Sequence, residues 1–87
     1  MLKKNATIIN KLGLHARPSA ALVNVTSKFE SEVLISKDSH PINGKSIMGV
    51  MTLAAEEGSV LTIEVSGPDE AESMKAILEL IESGFGE

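Results

Sequence analysis

The stretch 59-SVLTIEVSGPDEAESMKAILELIESG-84 contains both kinds of regular structure in one run. Over 59–66 the apolar Leu61, Ile63 and Val65 alternate with Thr62 and Glu64, the period of a strand with one buried face. "GPDE" at 67–70 breaks that alternation and offers Asp69 as a helix cap. Beyond it Met74, Ile77, Leu78 and Ile81 recur at the spacing of one helix face, and Gly84 closes the run. A one-sided strand and a one-sided helix each need an apolar partner layer, and each can serve the other.

Upstream segments repeat the theme. In "SEVLISK" (31–37) Val33 and Ile35 point to the same side as a second inward face. "DSHPING" supplies turn residues, and His40 to Ile42 form a short returning strand, where Pro41 favours a sheet edge. "LKKNATII" (2–9) is a first strand with Ala6 and Ile8 on one face, ended by Asn10 to Gly13. From Ala16 to Phe29 the residues Leu22, Val25 and Phe29 mark a helical stripe. Pro18 is tolerated only in a helix's first turn, so this helix starts at Ala16, directly after His15. Ser46 is a natural N-cap for the short helix "IMGVMTLAA" (47–55), with Val50 and Leu53 directed to the core. The order is β-α-β-β-α-β-α, an α+β open-faced sandwich in which one sheet carries its helices on one face, as a single domain over residues 1–87.

Composition narrows the class. A chain of 87 residues buries roughly 60–65 % of its unfolded surface, and with only two aromatics its core is aliphatic. There is no cysteine, hence no disulfide or thiolate metal site. The start lacks an apolar signal segment, and no apolar run approaches the ~20 residues of a membrane span. A cytoplasmic protein without membrane insertion is expected. The net charge of −4, with acids at 56–57 and in the last third, argues against a nucleic-acid partner. The acidic Glu70, Glu72, Glu79 and Glu82 of the last helix are expected to be a solvated face.

The chemistry concentrates in "GLHARP" (13–18). A helix N-terminus presents amides without intrahelical acceptors and the positive end of the macrodipole, which suits phosphate. Arg17 adds a planar cation able to hold phosphate oxygens. An imidazole at that point is a nucleophile for phosphorus, and the transferred group could be passed on. Gly13 serves either a tight turn or the close approach of a partner's backbone. The competing reading makes His15 a plain N-cap and Arg17 a solvated charge. A His15/His40 metal pair lacks local ligand spacing, and His40 reads as an exposed hairpin residue. No metal and no cofactor is called for.

"GLHARP" followed about thirty residues later by "GKSIMGVMTLAAEEG", with "AILELIESGFGE" at the end, strongly resembles the HPr family of bacterial phosphotransferase-system phosphocarriers over essentially the whole chain. The resemblance implies a four-stranded antiparallel sheet with three helices. It implies that His15 accepts a phosphoryl group on Nδ1 from phosphorylated enzyme I and donates it to IIA domains of sugar permeases. Arg17 and the backbone amides of Ala16 and Arg17 would hold the phosphate. Ser46 matches a position phosphorylated by HPr kinase/phosphorylase in many relatives, and Ala20, Ile47, Met48 and Met51 form the implied docking surface. Ser19 stands where alanine is common, and its hydroxyl is expected to touch a first-turn amide. Asn24 and Ser27 stand where some members carry lysine, which weakens a basic docking face.

Three functions remain in play. They are a carrier for sugar uptake, a nitrogen-type or Ser46-dependent regulator, and a small binding module whose His15 never carries phosphate. A monomer is expected of a carrier that presents one face to successive partners.

Overall fold

The computed structural model describes residues 1–86. Its elements are β1 (Leu2–Thr7), α1 (Ala16–Thr26), β2 (Glu32–Lys37), β3 (His40–Asn43), α2 (Ile47–Thr52), β4 (Val60–Ser66) and α3 (Glu70–Glu82), with a final 3-10 turn at Gly84–Gly86. The four strands form one antiparallel sheet in the order β1-β4-β2-β3. β4 occupies the gap between β1 and β2, pairing Leu2 with Val65 through Thr7 with Val60 on one side and Glu32 with Ser66 through Ser36 with Thr62 on the other. β3 is an outer strand, where Pro41 removes no donor from the sheet's interior.

The period-two pattern does its work here. Val33, Ile35, Leu61, Ile63 and Val65 are buried beneath the helices, joined by Leu22, Val50, Met74, Ile77 and Ile81. Each fully buried aliphatic contributes about 1.5–3 kcal/mol, so this layer supplies the main drive to fold. Val50 and Leu53 are both core residues, and His40 is an exposed hairpin residue, as expected.

Three boundaries differ from the sequence expectation. β1 ends at Thr7, although Ile8 stays buried and its backbone pairs with Ser59 and Gly58. α1 ends at Thr26 instead of Phe29. Its last turn tightens through Lys28 N–H to Val25 O and Phe29 N–H to Thr26 O bonds, and Thr26 Oγ1 donates to Gly44 O at 2.7 Å. Its buried face is Pro18, Ser19, Leu22 and Thr26, with Val25 and Phe29 only half-buried. α2 ends at Thr52 rather than near residue 55, because Ala54 turns into the left-handed region at φ 50°.

Asp69 precedes α3 but does not cap it with its side chain. Its carboxylate instead accepts from the Glu30 amide (3.0 Å), the Ser31 amide (2.9 Å) and the Ser31 hydroxyl. That carboxylate ties the start of α3 to the start of β2. Gly67 makes this approach possible, since a Cβ there would lie 2.6 Å from Ser31 Cα. Glu70 likewise is no idle surface acid: it accepts from Gly67 N–H at 3.2 Å and pairs with the Met1 ammonium at 3.1 Å. Glu72, Glu79 and Glu82 are exposed.

Candidate functional site

Pro18 is buried in the first turn of α1, and His15 sits at the N-cap with extended backbone (φ −76°, ψ −173°). The first helical bond runs from Ser19 N–H to His15 O at 3.0 Å. The amides of Ala16 and Arg17 precede that bond, so no helical carbonyl serves them. No acidic residue lies in this first turn. His15 is half-buried, and Ala16 and Arg17 are exposed. Arg17 also lines an open cleft of ≈ 750 Å³ with Ile9, Asn10, Lys11, Leu12, Glu57 and Gly86.

The loop that delivers His15 is pinned at several points. Asn10 Nδ2 donates to Gly13 O at 2.7 Å, and Gly13 N–H returns a bond to Asn10 O at 3.1 Å. Gly13 has φ 67°, and a Cβ on it would lie 2.3 Å from Ala55 O. The close backbone approach that glycine permits is thus to this chain's own residues 55–56, not to a partner's backbone. Leu14 N–H donates to Ala55 O at 2.9 Å. Leu14 O accepts from Ser19 Oγ at 3.2 Å. Ser19 is fully buried, so its hydroxyl turns back to the loop that carries His15 instead of reaching a first-turn amide. The expected touch on the phosphate pocket is replaced by a brace behind it.

The Leu14–Ala55 bond joins the beginning of α1 to the exit of α2, while Thr26–Gly44 joins the end of α1 to the approach to α2. The two helices therefore run antiparallel, and the N-cap of α2 lies at the far end from His15. Ser46 is that cap: its Oγ accepts from Gly49 N–H at 3.1 Å. Six helical residues separate it from the His15 end, about 9 Å along the axis. Between the two lie Ile47 (44 % exposed), Met48 (75 %) and Met51 (41 %). Ile47 and Met51 share one side of the helix, one turn apart. Ala20 on α1 is half-buried. Asn24 and Ser27 are exposed.

His40 belongs to the β2–β3 hairpin, its Nδ1 3.0 Å from Asp38 O. Among the described residues no cluster of His, Cys, Asp or Glu is arranged to hold a metal ion, and no helix is long and apolar enough to cross a membrane. Sequence reasoning missed two structural features near His15: the Asn10 side chain that pins Gly13, and the left-handed bend at Ala54. An asparagine three residues before a glycine is a visible turn signal for the first. Nothing local signals the second, because an alanine carries no turn preference of its own.

Comparison with known proteins agrees with this fold. The family described as "PTS-HPr: PTS HPr component phosphorylation site" matches residues 2–83. The chain is 53 % identical over 87 residues to a phosphocarrier protein HPr of Neisseria meningitidis, covering 100 % of this chain and 98 % of that protein. It is 54 % identical over 87 residues to the phosphocarrier protein HPr of Cupriavidus necator, with the same coverage of 100 % and 98 %. The crystal structure of HPr-C-His from Thermoanaerobacter tengcongensis superposes with a TM-score of 0.96 at 47 % identity, covering 100 % of this chain and 98 % of that one.

Proposed function

The chain belongs to the HPr family of phosphotransferase-system phosphocarriers, and on that premise we propose that His15 is the residue that takes up and passes on the phosphoryl group. The observation that carries this reading is the placement of His15 at the amide end of a helix with no first-turn carboxylate, beside exposed Arg17. In the forward step the lone pair of His15 Nδ1 attacks phosphorus. The new N–P bond forms as the donor's bond to phosphorus breaks, and the donor's leaving group keeps that electron pair. Proton release from Nε2 leaves a neutral ring bearing the phosphoryl dianion. The amides of Ala16 and Arg17 and the Arg17 guanidinium stabilise that charge by position, without covalent chemistry of their own. The same bond breaks when an acceptor attacks.

The donor is phosphorylated enzyme I, and the acceptors are IIA domains of sugar permeases. Both dock over Ala20, Ile47, Met48 and Met51. Methionine suits a surface that meets successive partners, since its unbranched chain repacks readily. The protein acts as a cytoplasmic monomer that exposes one face at a time. Ser46 is a second, regulatory phosphorylation position for an HPr kinase/phosphorylase. A phosphate at this N-cap leaves α2 intact, because negative charge there is favourable. It acts by placing a dianion next to the apolar docking residues, not by reaching His15.

The test is incubation with phosphoenolpyruvate, Mg²⁺ and enzyme I, followed by intact-mass analysis and an acid-lability assay, with His15→Ala alongside. One acid-labile phosphate on the wild type and none on the variant is expected. Phosphate from a nitrogen-type enzyme I alone would assign the regulatory chain instead. No labile phosphate from either donor would overturn the carrier reading and leave a binding module.

A further inference from the structure

The residues after α2 form the platform against which the His15 loop is built, and a side chain from another layer holds that platform in place. Lys37, half-buried at the end of β2, donates from Nζ to Leu53 O and to Ala54 O, both at 3.3 Å. These carbonyls lie at the exit of α2, where helical acceptors have no amide partners and the dipole is negative. A cation there has the right sign. Ala54 itself sits at φ 50°, a conformation that glycine adopts freely and alanine only under constraint. The next residue, Ala55, is buried, and its carbonyl receives Leu14 N–H at 2.9 Å. Gly13 packs directly on the same carbonyl. His15 directly follows Leu14.

We propose that Lys37 is a positioning residue for the phosphoryl site, acting in series through the left-handed bend at Ala54, the Ala55 carbonyl and the Leu14 amide to set the orientation of His15. This rests on the carrier reading above and deepens it. The role assigned to Lys37 needs no contact with the phosphoryl group, only its bonds to Leu53 O and Ala54 O. Its ammonium keeps Ala54 in a conformation that alanine does not hold unaided, and the direction of the Ala55 carbonyl follows from that bend. The Leu14–Ser19 bond closes the other side of the loop, so an error in the bend is delivered to the His15 peptide and not absorbed by slack.

The chain offers its own control. Glycine at 54 holds a positive φ without help, so Ala54→Gly makes the lysine dispensable. Four variants are compared with wild type: Lys37→Met, Lys37→Arg, Ala54→Gly, and Lys37→Met combined with Ala54→Gly. Each is phosphorylated by enzyme I and phosphoenolpyruvate and freed of enzyme I, and the rate of phosphohistidine hydrolysis is measured. Amide ¹⁵N shifts of Leu14 and His15 and the unfolding midpoint are recorded in parallel. Lys37→Met is expected to change the hydrolysis rate roughly tenfold, as a small misplacement of a reacting group does, and to shift both amides. Lys37→Arg, which keeps the charge and donors, is expected to stay near wild type. Ala54→Gly in the Lys37→Met background is expected to restore the rate.

A lower midpoint for Lys37→Met with an unchanged hydrolysis rate well below that midpoint would reduce Lys37 to a structural role and overturn the proposal. Failure of the double variant to recover would equally exclude the route through Ala54. If the wild type accepts no phosphate, the carrier reading falls by itself. The Leu14 and His15 amide shifts then still decide whether Lys37 governs the loop.

Discussion

α1 and α3 both start after a turn, both pack against the same core, and they treat their positive ends in opposite ways. At α3 the chain brings in its own anions: Glu70 and Glu72 lie in the first turn, and Glu70 accepts from the Gly67 amide and pairs with the Met1 ammonium. Asp69, one residue earlier, turns its carboxylate outward to tie down Glu30 and Ser31. At α1 the first turn contains no acid, and the residues around the exposed amide end are a histidine and an arginine. On the proposed reading, the anion site at α1 is made as much by the acids absent from that first turn as by the groups placed there. The α3 end spends the same electrostatics on holding the fold together.

The comparison can be broken most sharply at Arg17. Arg17→Ala should slow phosphoryl uptake from enzyme I about 100- to 1000-fold, the scale of losing a charge-stabilising donor. Its unfolding midpoint should match wild type, because the side chain is exposed. Stopped-flow or quench kinetics decide this, and a wild-type rate would remove Arg17 from the site. Next in size is Ala16→Glu, which gives α1 the kind of residue that α3 already has. It should slow uptake severalfold while raising stability by about 0.3–1 kcal/mol through the dipole. If uptake is untouched, the absence of acids from this turn has no functional meaning.

The α3 end is probed by Asp69→Asn, followed by thermal unfolding across pH. The Asp69 carboxyl is held below its ordinary range, chiefly by the Ser31 hydroxyl and then by the Glu30 amide. A lowered folded value means that its stabilisation is complete above the unfolded carboxyl pKa and is lost as the pH falls through the folded value. The variant should therefore melt several degrees lower at neutral pH, with the gap to wild type closing in the acid range below about pH 4. A gap that stays constant down to acid pH would mean that the carboxylate charge is not what matters there. The smallest effect belongs to the third helix start, where Ser46 caps α2 with its own hydroxyl. Ser46→Ala should cost about 1 kcal/mol in denaturant unfolding and leave His15 phosphorylation unchanged, since the cap lies at the opposite end of α2.

Local periodicity determined much of this protein. The alternation of Leu61, Ile63 and Val65, the Met74–Ile81 stripe, Pro18 before Ala20 and Ser46 before Ile47 each act within a few residues, so element types, their order and the start of α1 beside His15 were legible. The helix ends were less so, because the end of α1 depends on Gly44, eighteen residues away, and the end of α2 on the left-handed Ala54. The His15 and Arg17 pair could be named from "GLHARP", but of the groups around its loop only Asn10 carried a local signal.

Asp69 illustrates the limit. As a residue type in that position it suits a helix cap, and only the arrival of β2 offers it three better donors. Ser19 turns toward Leu14, Gly13 receives Ala55, and Lys37 reaches across to the exit of α2 for the same reason. A side chain's choice among partners is settled by which unsatisfied groups the packed chain brings within 3 Å or so. The sequence by itself determined that α1 begins beside His15, and tertiary packing decided which distant groups hold the loop that carries it.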